Sequence, residues 1–190
     1  MRHAAFGLAA IALLSGSARA GETLTGRATV IDGDTLRVRG TVVGLAGVAA
    51  PGLGQTCQGK GGRIVPCGRQ AARALSEHIG EAVIACETRG LDPSHRTLAI
   101  CRLGGDDLNA WMVASGLAVS DRFVDTTYFT DETQAWARRN GLWAGVFEDP
   151  TGRRRGDYAV AARPILTDGE AGEPERADGA VALKLSKLAR

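Results

Sequence analysis

LTGRATVIDGDTLRV, residues 24–38, carries two alternating runs on either side of a turn. Leu24, Gly26, Ala28 and Val30 alternate with Thr25, Arg27 and Thr29, the period of a strand with one face buried. Asp32-Gly33 then supplies a hairpin signal, and Leu36 and Val38 resume the alternation beyond it. A third run, Thr41 to Val48, follows almost at once, so the opening of the chain predicts a meander of three short strands.

Downstream, the Gly-rich stretch from Pro51 to Gly68 predicts a loop, pinned by a disulfide between Cys57 and Cys67. Arg69 to Ile79 has helical periodicity, with Ala71, Ala72, Leu75 and Ile79 on one face and Gly80 placed to end it. Ala82 to Cys86 and Thr97 to Leu103 predict two more strands, joined by a turn through Asp92-Pro93. Antiparallel pairing of those strands sets Cys86 opposite Cys101 and favours a second disulfide. Asp107 is placed to cap a short helix through Trp111 and Met112 that stops at Gly116, and a last helix spans about Tyr128 to Asn140. Trp111, Trp136 and Trp143 are expected to be packing residues, because buried aromatics dominate core area. Five short strands with a helix after the third suit an α+β, mainly β, architecture: a small Greek-key barrel of the OB type with about three helices. Composition alone leaves that as one candidate among several.

The two ends differ from this middle. Residues 1–20 have the layout of an export signal: Arg2 and His3, an apolar run of 11 residues from Ala4 to Leu14, and Ala18-Arg19-Ala20 as a cleavage site. That run is well short of the ~20 residues needed to cross a bilayer. It predicts a secreted or periplasmic protein with no stable membrane insertion after cleavage. From Pro150 to Arg190, Pro, Gly and Ala mixed with scattered charge predict a disordered tail, leaving residues 21–149 as the folded domain.

Removing Arg2 and Arg19 with the signal leaves 21 basic against 21 acidic residues, a neutral chain, whereas dedicated nucleic-acid binders are usually strongly basic. Four cysteines allow three pairings, and an exported chain is where disulfides persist. Their spacing lacks the C-x2-C pairs of a zinc site. Only His78 and His95 lie beyond the signal, and Ser94 beside His95 is a sequence neighbour rather than a nucleophile and base. His78, at a helix end, suits the helix dipole.

VIDGDTLRV (30–38), LAGVAAP (45–51), CGRQAARAL (67–75), HRTLAIC (95–101), DLNAWMVASGLA (107–118), Tyr128 with Glu132 and Ala135, and GLWAG (141–145) together resemble the staphylococcal nuclease-like, or thermonuclease, family. The resemblance covers about residues 24–147 and implies an OB-fold barrel with three helices. Active members cut phosphodiester bonds of DNA and RNA with one Ca2+. The resemblance therefore implies two metal-binding aspartates, a glutamate that activates water, and two arginines on the phosphate. Such a set makes chemical sense, because Ca2+ takes six to eight oxygens and arginines stabilise charge developing on the phosphoryl group.

Carried over residue by residue, the resemblance places the first metal aspartate at Asp34 and the second arginine at Arg96. The first arginine falls on Gly44, the second metal aspartate on Ala49 and the glutamate on Gly52. Asp34, next to a hairpin glycine, also suits a turn role. No Asp or Glu occurs from Thr35 to Ser76, so a replacement ligand must come from the helical part, such as Asp106, Asp121 or Asp125. A missing general base costs ~10²–10⁴ in rate and a missing catalytic arginine ~10³–10⁵.

These readings predict a degenerate nuclease-like domain that works by binding and needs no cofactor. The acid-free stretch holds six basic residues, among them Arg37, Arg39 and Arg63, a candidate face for single-stranded nucleic acid or simply a solvated patch. A protein partner, engaged through the tail, is the other possibility. The alternative is a secreted Ca2+-dependent endonuclease with a rearranged site.

Overall fold

The computed structural model describes residues 21–152. The leader expected over 1–20 and the tail from residue 153 onward lie outside them.

Ten strands and three α-helices follow in order: β1 (Thr23–Asp32), β2 (Thr35–Val38), β3 (Thr41–Leu45), β4 (Val48–Ala49), β5 (Cys57–Gln58), β6 (Ile64–Val65), α1 (Cys67–Ile79), β7 (Val83–Leu91), β8 (Thr97–Leu103), β9 (Asp106–Asp107), α2 (Leu108–Ala114), β10 (Val119–Ser120) and α3 (Phe129–Arg138). The main sheet runs β3-β2-β1-β7-β8-β9, and β3 also pairs with β8, in parallel, so five strands close on themselves. This is the expected OB-type barrel. Closure removes the exposed strand edges that an open sheet would present.

The barrel core follows the alternation read in the sequence. Leu36, Val38, Val43, Leu45, Ile84 and Leu75 of α1 are fully or almost fully buried together. The hairpin turn lies one residue later than expected: Asp32 pairs with Thr35, leaving Gly33 and Asp34 as the loop. Glycine is needed at position 33 for space, since a Cβ there would lie 2.6 Å from that of Ala50 and 2.8 Å from that of Ala71. The third run is broken after Leu45 by a turn whose Gly47 has φ of 70°, and β4 resumes at Val48.

Both disulfides form as expected, Cys57–Cys67 across the loop and Cys86–Cys101 between paired positions of β7 and β8. β7 extends to Leu91, well past the expected end at Cys86; its polar second half is held by pairing with β8. Helix α1 starts at Cys67, two residues earlier than expected. Asp107 caps α2, accepting the amides of Asn109 and Ala110, a cap worth ~1 kcal/mol. Asn109 is fully buried and binds helix to barrel: its Oδ1 accepts the Cys101 amide at 3.0 Å, and its Nδ2 donates to the carbonyls of Ala46 and Ala99.

One packing expectation fails. Trp111 and Trp143 are partly buried, but Trp136 is 63% exposed on α3. The inward face of α3 carries Glu132 and Ala135 instead, so the indole beside Ala135 points to solvent. Pro150 and Thr151, at the start of the expected tail, are buried, and the chain is helical over 150–152.

Candidate functional site

Asp34, in the β1–β2 turn, is 1% exposed. Its Oδ2 accepts the backbone N–H of Ala50 at 2.6 Å, and its Oδ1 accepts the Thr35 hydroxyl at 3.0 Å. The hairpin is thereby tied to the segment that follows β4. Beside it, the Asp32 Oδ1 accepts the amide of Asp34. Burial, and then the neighbouring Asp34 charge, raise the Asp32 carboxyl above its ordinary value.

Arg96 enters from the turn between β7 and β8. Asp92, buried at the start of that turn, accepts the amides of Ser94 and Arg96 with Oδ1 and the Arg96 Nε with Oδ2 at 3.0 Å. His95 adopts φ of 60°, which swings Arg96 inward. The Arg96 Nη1 then donates to the Thr35 Oγ1 at 2.6 Å and lies 3.7 Å from the Asp34 Oδ1. Asp34 and Arg96 thus meet through Thr35, while Asp92 holds the guanidinium in place. From the sequence, Asp92 has only a turn role and Thr35 no role of its own.

The parallel pairing of β3 with β8 sets Gly44 opposite Leu98, two residues beyond Arg96. A Cβ on Gly44 would stand 2.8 Å from the Arg96 Cζ and 2.9 Å from its Nε. The guanidinium therefore lies directly over the bare backbone of Gly44. Ala49 is fully buried in β4, paired with Val119 of β10. Gly52 follows Pro51 in the loop and donates its amide to the Gln55 Oε1 at 3.3 Å. Its carbonyl is packed so closely on α1 that a Cβ on Gly68 would overlap it.

The three carboxylates expected as replacement ligands lie outside the helices and have other partners. Asp106 takes His78 at 2.7 Å, and the His78 ring stacks on Trp111 with centroids 3.9 Å apart. The expected dipole position of His78 is therefore also a hydrogen-bonding and stacking position. The Asp121 Oδ1 accepts the amide of Phe123, and Asp125 accepts the amide and hydroxyl of Thr127, which hold its carboxyl below the ordinary value. Among the described residues, no three His, Cys, Asp or Glu side chains come together in a way that could hold a metal ion. Arg37 is exposed on β2, Arg39 in the turn after it with φ of 50°, and Arg63 in the loop closed by Cys57–Cys67.

A second polar centre has no counterpart in the sequence reading. Glu132 of α3 is buried, and it accepts the Ser120 amide and hydroxyl and the Arg122 guanidinium, the last at 2.6 Å. Its only signal was its place in the spaced motif that begins at Tyr128.

Comparison with known proteins places this geometry. Residues 42–145 match the family described as staphylococcal nuclease homologue. The chain is 37% identical over 153 residues to a protein named succinoglycan biosynthesis protein ExoI, from Rhizobium meliloti (strain 1021). That similarity covers 80% of this chain and 76% of the relative.

Proposed function

The chain belongs to the staphylococcal nuclease homologue family, and on that premise we propose that it is an exported member that no longer cuts phosphodiester bonds and works by binding. The observation that carries this reading is the guanidinium of Arg96 over Gly44. Arg96 fills space that an arginine on β3 would need, and its contacts go to Asp92 and Thr35 within the protein. The carboxylates near it do not fit a calcium ion. Asp34 already accepts from Ala50 and Thr35, Asp32 accepts from Asp34, and Ala49 and Gly52 bring no carboxylate, whereas Ca2+ takes six to eight oxygens. Positions 44, 49 and 52 therefore offer neither a metal ligand nor a group to activate water.

Two disulfides in 132 described residues support an oxidising compartment, secreted or periplasmic. Among the described residues no helix is long and apolar enough to cross a membrane. Exposed Arg37, Arg39 and Arg63 support a single-stranded nucleic acid as the ligand of the barrel. The relative is named for succinoglycan biosynthesis, which agrees with a role other than nucleic-acid cleavage.

The test is cleavage of a fluorescent single-stranded DNA by the purified protein, with Ca2+ and with chelator, followed by binding of the same strand across a salt series. We expect no cutting above the chelator control and an affinity that falls steeply with salt. Ca2+-dependent cutting abolished by Asp34→Ala would overturn the reading and establish a rearranged nuclease. Absence of binding would move the ligand to a protein.

A further inference from the structure

Trp143 lines three adjoining hollows, of about 540, 360 and 430 Å3, on the α3 side of the molecule. None of their lining residues belongs to the barrel site around Asp34 and Arg96. The largest is floored by Val119 and Ser120 of β10 and closed by Arg122, Glu132, Phe147 and Thr151. Trp136 borders the other two. We propose that this cleft binds a neutral oligosaccharide, a site beyond the barrel reading and independent of it.

Three observations lead there. First, aromatic side chains are exposed around a polar centre. Trp136, Phe129 and Phe123 are all exposed, the last by 72%, and Trp143 packs edge-on against Phe147 with centroids 5.0 Å apart. Exposed apolar groups gathered beside one cleft mark interaction sites in a way that scattered ones do not. Such rings match the flat C–H faces of all-equatorial sugars.

Second, the Trp143 Nε1 is the one buried side-chain polar atom among the described residues without a hydrogen-bond partner. A buried donor left unpaired is costly, so a shift of the indole toward the cleft that brings the N–H to an acceptor such as a sugar hydroxyl or ring oxygen would relieve it. Around it stand groups suited to hydroxyls: the Ser120 hydroxyl and the Glu132 carboxylate, with Arg122 held by Glu132 and laid 4.4 Å from the centre of the Phe129 ring.

Third, the charged side chains among the described residues lining the three hollows are equal in number: Arg122 and Arg139 against Glu132 and Asp149, with Arg122 paired to Glu132. A phosphate-rich strand would find no net attraction here, whereas an uncharged ligand meets donors and acceptors of both kinds without a charge to desolvate. The series of hollows past Trp143 and Trp136 suits a linear oligomer rather than one small ring.

The test uses the purified protein with cellohexaose and laminarihexaose, two neutral β-linked glucans, followed by tryptophan fluorescence and calorimetry. We expect saturable binding that is insensitive to salt. Trp136→Ala, at an exposed position, should weaken it about tenfold or more, and Trp143→Phe, which keeps a ring but removes the N–H, about five- to tenfold. Trp111→Phe, outside the cleft, should leave it unchanged. No binding of either glucan overturns the proposal. So does binding indifferent to Trp136→Ala, or a hexathymidylate that displaces the glucan from the cleft. Failure here leaves the cleavage result untouched, because the two sites share no residue.

Discussion

The Asp34 carboxylate holds the amide of Ala50 at 2.6 Å, so a side chain expected from the resemblance to hold a metal acts as a cross-link between the β1–β2 hairpin and the chain beyond β4. Asp34→Ala leaves that buried amide without its acceptor and should destabilise the fold by about 1–3 kcal/mol. The midpoint of urea unfolding should fall by the same amount in Ca2+ and in chelator. A wild-type midpoint raised by Ca2+ and a mutant midpoint indifferent to it would make Asp34 a metal ligand after all.

At Gly44 the chain should resist repair. Gly44→Arg places a side chain within the space of the Arg96 guanidinium, displacing it from Asp92, Thr35 and Asp34. Two buried carboxylates then lose their cation, and the expected loss is about 1–3 kcal/mol with no gain in nuclease rate. Gly44→Arg combined with Arg96→Ala should recover part of the stability, which a denaturation series on the single and double mutants would read.

The Cys86–Cys101 bridge closes a loop with a sequence separation of 15 residues between the two most extensively paired strands. Replacing both cysteines with alanine should lower stability by about 3 kcal/mol if the bridge acts mainly by restricting the unfolded chain. Calorimetry of that variant with Cys57–Cys67 intact measures it directly.

Tyr128 should set an alkaline limit. Burial, then the charges of Asp107 and Asp125, raise its phenol well above the ordinary value of 10, against a smaller lowering by Arg102. The folded state therefore keeps a proton that the unfolded chain gives up. Its contribution is fully present below pH 10 and is lost as pH rises above that value. Tyr128→Phe should flatten the alkaline arm of a stability-against-pH curve, and an unchanged arm would assign the loss to other groups.

The barrel was legible because its strands alternate: Leu36, Val38, Val43 and Leu45 declare their face by period alone. Where the reading slipped, contacts distant in sequence decide. Gly33 marks the turn, but its reason is the nearness of Ala50 and Ala71, which no local pattern contains. Trp136 was expected inside because it is large and apolar. The inward face of α3 is instead built around a carboxylate, Glu132, whose partners Ser120 and Arg122 lie upstream of the helix. The family positions Asp34, Gly44 and Arg96 could be named from the sequence, but their mutual contact depends on the parallel pairing of β3 with β8 and on Asp92.

The overlap of Arg96 with the space above Gly44 also gives the mutational path a direction. A chain that acquired an arginine on β3 would lose the contacts of Arg96 while positions 49 and 52 carry no carboxylate. On the proposed reading, packing alone thus works as a ratchet against the return of that arginine.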